Sequence, residues 1–151
     1  EVFAAMRAVL PAGKALGIRV SATDYVAGGW DLPQTVAFAK ELKALGCDFI
    51  DVSSGGLSPD QQMEVGPGYQ THFADTVKRE TALVTMTVGM ITDPHQAEHI
   101  LMTGQADMVA LARALLYDPR WPWHAAEALG EPASFPLQYQ RSHPRFLARP
   151  V

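Results

Sequence analysis

Two segments of the sequence hold the residues best suited to bind an anion. Val88, Gly89 and Met90 end one apolar run, and Ala112 and Arg113 end another. A glycine lets backbone N–H groups approach a phosphate closely, and an arginine adds a fixed charge with bidentate geometry. A helix that begins near Arg113 would contribute free N–H groups and the positive end of its dipole. The pattern indicates a phosphate site, and the alternative is that Gly89 forms a plain turn and Arg113 lies on a helix surface.

Arg19 is a second candidate because it interrupts an apolar, strand-like run. A buried arginine needs a partner, since an isolated charge in an apolar interior is very costly. A delocalised anionic ligand would provide one. An internal salt bridge to Asp51 or Asp24 is the alternative that the residues alone leave open.

Two histidine patterns are weaker candidates. His95 and His99 have the four-residue spacing of metal ligands on a helix, but no Glu lies between them in an H-E-x-x-H arrangement. We therefore expect no metal site. His72 and Asp75 lie on another helix, where we expect a surface pair.

The remaining reactive or aromatic residues favour structural roles. Cys47, the only cysteine, enters a strand after Gly46 and is typical of a small buried residue. A single cysteine excludes an internal disulfide and fits a reducing cytoplasm. The aromatic residues near the last helix are expected to pack against it, since no basic groove accompanies them. They are Tyr117, Trp121 and Trp123.

The elements that must position these residues alternate between strand and helix. Apolar runs predict four strands at 16–22, 48–53, 83–88 and 107–111. Helical spacing and capping signals predict intervening helices from Asp31 to Gly46, about 70–80, 94–102, 113–116 and 121–129. Four such units predict a parallel sheet. After the first strand there is no G-x-G-x-x-G turn, so a (β/α)8 barrel is favoured over a Rossmann sheet.

Four units make half of such a barrel, and full barrels usually need about 250 residues. Residues 1–11 also have the pattern of the end of a helix, so we expect this chain to be a fragment. The predicted division is a half barrel over 1–130 and an extended, Pro-rich tail over 131–151. A half barrel alone would leave an open sheet edge and should be unstable or self-associating.

Composition excludes several classes of partner. The 151 residues are 48% hydrophobic and 19% charged, with a formal net charge of −4. No apolar run approaches the roughly 20 residues that span a bilayer. An acidic balance does not attract nucleic acid or an anionic membrane surface. We therefore expect neither as a partner.

Six segments together resemble the C-terminal half of the Old Yellow Enzyme family, in its YqjM-like and xenobiotic-reductase-like branch. Each is weak alone, but their shared order over essentially the whole chain is specific. They are RVSATDY, FIDVSSGG, PGYQTHFA, TVGMIT, ADMVALARALLYDP and PLQYQR.

The resemblance implies an FMN-dependent barrel in which NAD(P)H reduces the flavin and the flavin reduces an activated alkene. Arg19 would contact the pyrimidine edge of the flavin. Val88, Gly89 and Met90 would meet the phosphate or ribityl chain, and Ala112 and Arg113 would complete the phosphate site. The cofactor-binding set also includes Ser54 and Gly55. Many relatives have glycine where this chain has Ala112, so the phosphate contact there should be adjusted.

The resemblance also implies a homodimer or homotetramer, because Tyr139 and Arg141 match residues that reach the neighbouring subunit's site. The family's substrate-binding His/His or His/Asn pair and its proton-donating Tyr lie on earlier strands. The fragment alone should therefore not reduce alkenes. Two alternatives remain: another phosphate-binding barrel enzyme, or a non-catalytic half barrel that binds FMN, phosphate or a partner.

Overall fold

A computed structural model describes residues 1–142, which form a parallel sheet with helices between its strands. The strands are β1 (Gly17–Ser21), β2 (Phe49–Ser53), β3 (Val84–Val88) and β4 (Met108–Ala110). The helices are α1 (Val2–Val9), α2 (Leu32–Ala44), α3 (Thr71–Thr81), α4 (Pro94–Met102), α5 (Arg113–Tyr117) and α6 (Trp121–Ala128). This order confirms the predicted α/β fold with four strand–helix units.

The strands lie in sequence order, and each pairs in parallel with the next. One row across the sheet contains Arg19, Asp51, Met86 and Met108. All carboxyl ends of the strands therefore meet at one edge, as a partial barrel requires. Within residues 1–142, β1 and β4 each pair with a single neighbour, so the sheet is not closed.

Local sequence explains where the helices that connect the strands begin. The Asp31 side chain accepts a hydrogen bond from the backbone N–H of Gln34, whose side chain binds the Asp31 N–H in return. This capping box starts α2. The Asp93 side chain caps α4 by accepting the backbone N–H groups of His95 and Gln96, and Pro94 occupies the first helical position.

The core lies between the sheet and these helices. Alternate strand residues point toward the helices and are fully buried, as a period of two requires. Ile50, Val52, Thr85 and Thr87 each have 0% exposure. Leu42 of α2 and Val77 of α3 cover them in the same core. The opposite row, which includes Arg19 and Asp51, is left to line the inner side of the sheet.

Two aspartates, Asp48 and Asp107, each connect a pair of neighbouring strands near their amino ends. The Asp48 carboxylate accepts the N–H of Leu16 at 2.7 Å and pairs with Arg7 at 3.2 Å. Asp107, before β4, makes the same kind of contacts with β3 and α3. It accepts the N–H of Thr85 at 2.8 Å and pairs with Lys78 at 2.8 Å. Burial raises the pKa of Asp107, but the hydrogen bonds from Lys78 and Thr85 outweigh it and lower the pKa overall.

The tail differs from the extended conformation predicted for it. Residues 131–136 have no regular secondary structure, Leu137–Ser142 forms a 3-10 helix, and 143–151 lie outside the described residues. The Tyr139 ring packs 5.8 Å from the Trp123 ring of α6, and the Arg120 guanidinium lies 5.3 Å from the Tyr139 ring. Aromatic and cation–π contacts thus favour a compact turn over an extended strand. None of the helices described over 1–142 is long and apolar enough to cross a membrane.

Candidate functional site

A cleft of about 640 Å³ opens at the carboxyl ends of the strands. It is lined by residues from the ends of β2, β3 and β4 and by one residue of β1. All the residues predicted to bind a cofactor lie in its wall: Arg19, Ser54, Gly55, Val88, Gly89, Met90, Ala112 and Arg113. The structure therefore brings together side chains that are up to 94 positions apart in the sequence, between Arg19 and Arg113.

The loop after β3 has an unusual backbone. Gly89 is buried with φ at 136°, and Met90 adopts φ at 50° despite its side chain. A Cβ placed on Gly89 would lie 2.8 Å from the Gln70 Nε2 and 3.0 Å from the Tyr69 ring. Glycine is therefore required here both by conformation and by space.

The N–H groups of this loop are available for a ligand. No acceptor among residues 1–142 takes a hydrogen bond from the backbone N–H of Gly89 or Met90. Gly89 and Met90 both line the cleft, so an acceptor for these N–H groups has to come from a ligand or water there, and buried donors are normally paired. The two groups thus form an unsatisfied, electropositive spot on the wall of the cleft.

Arg113 brings a positive charge to the same wall. Its guanidinium is exposed and makes no hydrogen bond or ion pair with any residue of 1–142. α5 runs over Arg113–Tyr117, close to the short helix predicted over 113–116, and the dipole of a five-residue helix is small. Ala112 precedes the helix with φ −100° and ψ −85°, and its methyl group leaves the backbone N–H in place.

Of the two interpretations that the sequence left open for Arg19, the structure shows the salt bridge, and the contact with an anionic ligand stays a prediction. The Arg19 guanidinium pairs with Asp51 at 2.8 Å and also lines the cleft. The side chain is 58% exposed, so the buried arginine expected from the apolar run is not observed. The reason is that β1 directs it to the open inner side of the sheet. The second oxygen of Asp51 is buried and has no partner among residues 1–142.

Sequence reasoning missed a buried glutamine beneath the cleft. The Gln70 side chain accepts a hydrogen bond from Ser54 Oγ at 2.6 Å and donates one to the Val88 carbonyl at 2.7 Å. The Tyr25 hydroxyl lies 2.9 Å from Ser54 Oγ. The sequence offered only the PGYQ segment between two predicted strands, which contains Gln70 but does not indicate which residues its side chain contacts.

The other wall residues from the loop after β2 are held by backbone contacts. The Gly55 N–H donates to the Thr23 carbonyl at 2.8 Å, and its own carbonyl accepts from Ser21 Oγ at 3.2 Å. Because the Ser54 hydroxyl donates its hydrogen bond to Gln70, Ser54 contributes to the cleft mainly by holding the Gln70 side chain in place. Tyr139 and Arg141 do not line this cleft, because the tail packs on α6 of its own chain.

The two histidine patterns identified in the sequence lie on α4 and α3. His95 and His99 are exposed, and no group of three or more metal-binding side chains occurs within 1–142. His72 stacks on Phe73 at 3.8 Å, while Asp75 pairs with Arg79, so the expected pair of His72 and Asp75 is not formed.

The predicted packing roles hold for Cys47 and Trp121 but not for Tyr117. Cys47 is buried, and burial raises the pKa of its thiol, with the nearby Asp48 adding to the effect. The Trp121 indole donates to the Thr92 carbonyl at 2.8 Å and packs on the core. Tyr117 is 94% exposed and lies at the rim of the cleft, so it does not pack on α6 as expected.

Known proteins with similar sequences and folds fit this arrangement. The chain is 48% identical over 126 residues to an NADPH dehydrogenase of Geobacillus sp. (strain WCH70), covering 83% of the chain and 37% of that protein. It is 47% identical over 127 residues to an NADPH dehydrogenase of Bacillus licheniformis, covering 84% and 37%. The chain therefore spans 37% of the length of these curated relatives.

A solved structure supports the barrel fold. Histamine dehydrogenase from Rhizobium sp. 4-9 superposes with a TM-score of 0.65 at 21% identity, covering 76% of this chain and 17% of that one. At this identity the likeness concerns the fold alone. The model of the NADH:flavin oxidoreductase / NADH oxidase family matches residues 1–131. The chain, with its partial barrel and its cleft at the strand ends, belongs to that family of FMN-binding oxidoreductases.

Proposed function

We propose that this chain supplies the FMN-phosphate side of the active site of an NAD(P)H-dependent ene-reductase. The observation that supports this best is the unpaired Arg113 guanidinium on the same cleft wall as the free N–H groups of Gly89 and Met90. A cation and backbone donors at the carboxyl end of a late barrel strand are the parts of a phosphate site.

The residues present fit FMN at both ends. At the phosphate end, a buried N–H without an acceptor and a Gly89 site too tight for a Cβ match a close approach of the backbone to an anion. At the other end, Arg19 would face the pyrimidine edge of the flavin and stabilise negative charge there. The ion pair with Asp51 keeps the guanidinium in place without removing its exposure to the cleft.

Bound FMN would supply hydride transfer from NAD(P)H to the β-carbon of an activated alkene. This chain would contribute cofactor binding and orientation. The substrate-binding pair and the proton donor would come from four further β/α units that close the sheet at its unpaired edges, β1 and β4. The share of 37% of the curated relatives' length leaves room for such units.

Tyr139 and Arg141 are proposed to complete a neighbouring subunit's site in a homodimer or homotetramer. The Arg141 side chain makes no hydrogen bond or ion pair with residues 1–142, and Tyr139 two residues earlier packs on α6. An arginine presented in this way is available to a partner.

Flavin binding and alkene reduction can be tested on a purified full-length protein, in which the four further β/α units proposed here complete the barrel. We expect a flavin absorbance spectrum after addition of FMN, and oxidation of NADPH in the presence of cyclohexenone or maleimide. Absence of any FMN binding would overturn the proposal. FMN binding without NADPH oxidation would favour a binding module, and oxidation that no alkene stimulates would favour a different barrel enzyme.

The tail can be tested separately with Arg141→Ala. We expect a higher KM for the alkene with flavin content unchanged, because Arg141 lies outside the cleft of its own chain. Arg79→Ala is the control, since Arg79 is exposed on α3 and pairs with Asp75. Equal KM values for Arg141→Ala and the wild type would remove the tail from the proposal.

A further inference from the structure

The side chain of Gln70 is buried and makes one hydrogen bond from each end of its amide group. It is 4% exposed, and its Oε1 accepts from Ser54 Oγ at 2.6 Å while its Nε2 donates to the Val88 carbonyl at 2.7 Å. A backbone carbonyl only accepts hydrogen bonds, so the amide NH2 must face Val88. The partners therefore determine the orientation of the amide group.

The 68–70 segment, which contains Gln70, also binds the carbonyl of Gly89, the residue after Val88. The Gly68 N–H donates to the Gly89 carbonyl at 2.8 Å. Two successive carbonyls, those of Val88 and Gly89, are thus directed toward the 68–70 segment. The peptide bonds of the described chain are all trans. In a planar trans peptide, the N–H points opposite to the C=O of the same unit.

The consequence concerns the two free donors of the loop. The Val88 carbonyl shares its peptide unit with the Gly89 N–H, and the Gly89 carbonyl shares its unit with the Met90 N–H. Both N–H groups must therefore point away from Gln70 and Gly68. Neither group has an acceptor within residues 1–142, and both residues have positive φ values, 136° and 50°. Successive N–H groups turned to one side form an anion-binding concavity.

Gln70 is itself braced from the first two strands. Ser54, at the end of β2, holds its Oε1, and the Tyr25 hydroxyl after β1 holds Ser54 Oγ at 2.9 Å. On its other side, Gln70 packs so closely against Gly89 that an added Cβ would lie 2.8 Å from Nε2. The glutamine is thus held between the ends of β2 and β3, and Tyr25 after β1 supports it through Ser54.

We propose that Gln70 is a positioning residue for the phosphate of FMN. By holding the Val88 carbonyl it turns the N–H groups of Gly89 and Met90 toward the anion, without touching the ligand itself. The proposal rests on the proposed function above, because it assigns this loop to the phosphate of that cofactor.

The test compares ligands with and without the phosphate. Gln70→Glu keeps the shape and the contact with Ser54 but places a carboxylate oxygen against the Val88 carbonyl. We expect the dissociation constants of FMN and of inorganic phosphate to rise about tenfold, the effect of one lost hydrogen bond at a buried site. The dissociation constant of riboflavin, which lacks the phosphate, should stay at the wild-type value.

Two further variants keep the test decisive. Gln70→Met removes the donor without adding charge, so it decides the matter if the glutamate variant fails to fold. Gln105→Glu makes the same change before the amino end of β4, where the Gln105 side chain donates a hydrogen bond to Thr103 Oγ1, and should leave all three constants unchanged.

The possible outcomes separate this inference from the function on which it rests. Equal weakening of FMN and riboflavin would reduce Gln70 to a structural role, and unchanged FMN binding would also overturn the proposal. If the wild-type protein binds neither FMN nor phosphate, both the inference and the proposed function are wrong.

Discussion

The two ends of the sheet differ in how completely their polar groups are satisfied. At the amino ends, Asp48 and Asp107 each accept a neighbouring strand's N–H and pair with a cation. At the carboxyl ends, Arg113 has no partner within residues 1–142, and the buried Gly89 N–H has no acceptor there. Saturated pairs stabilise the fold, whereas unsatisfied donors favour a ligand.

Backbone conformation shows the same contrast. Tyr25 and Met90, both at carboxyl ends, are non-glycine residues with positive φ of 56° and 50°. Such conformations cost about 1–3 kcal/mol each and persist where the surroundings enforce them, often at functional sites. At the amino ends of the strands the only comparable non-glycine residue in 1–142 is Ala82, which caps α3. Substitutions at the two ends should therefore affect different properties.

The largest effect should come from Gly89→Ala at the carboxyl end. A methyl group would meet Gln70 and Tyr69 at 2.8 and 3.0 Å and would have to adopt φ near 136°. We expect a loss of about 3 kcal/mol in the free energy of unfolding, combining strain and overpacking. Chemical denaturation measures this, and FMN titration should show that cofactor binding is lost as well.

Gly104→Ala separates strain from space. Gly104 also has positive φ, 72°, but nothing lies within 4 Å of an added Cβ. This control should cost about 1 kcal/mol and leave FMN binding intact. If both variants lose the same stability, the close contact of Gln70 with Gly89 is not what requires the glycine.

Arg113→Ala should change binding but not stability. Because the guanidinium has no partner within 1–142, its removal breaks no interaction there. A charge-assisted contact to phosphate contributes about 2 kcal/mol, so the dissociation constant of FMN should rise roughly 30-fold. Isothermal titration measures the binding constant, and thermal unfolding should give the wild-type Tm.

Arg79→Ala is the matched control on α3. It removes an exposed arginine that pairs with Asp75 four residues away, and such pairs contribute little. FMN binding should be unchanged. A similar loss of affinity in both variants would point to the general charge of the protein and contradict a local role for Arg113.

Much of this contrast was predictable from local sequence. The bounds of the four strands differ from the predicted ones by at most one residue at either end, because buried parallel strands give short apolar runs between helical segments. Gly89 and Arg113 could be singled out because they follow such runs, where the cleft of a barrel must lie. Each of these inferences needed only neighbours in the sequence and one rule of topology.

The inferences that failed needed contacts between distant segments. Gln70 binds Ser54 and Val88, which lie 16 and 18 positions away, and no local pattern marks those partners. Arg19 was expected to be buried because its neighbours are apolar, yet the open inner side of the sheet leaves it exposed. Tyr117 was expected to pack on α6, but the short α5 directs it to the rim of the cleft.

Asp107→Asn should give a smaller effect, confined to the amino end and dependent on pH. The pKa of Asp107 is lowered in the fold, so its contribution is complete above the unfolded value of about 3.9 and is lost as pH falls through the folded value. Because about a third of the side chain is exposed, we expect a loss of about 1 kcal/mol at pH 7. FMN binding should not change.

The measurement is the free energy of unfolding from pH 7 down to pH 2. Wild type and Asp107→Asn should differ at neutral pH, and the difference should shrink as the pH falls below the unfolded pKa of about 3.9 and through the lowered pKa of the folded state. Asp60→Asn, in the exposed loop after β2, should follow the wild type throughout. A constant difference between wild type and Asp107→Asn across this range would mean that packing, and not the ionised pair with Lys78, is what Asp107 contributes. The satisfied amino end would then stabilise the sheet by shape, and only the carboxyl end would depend on charge.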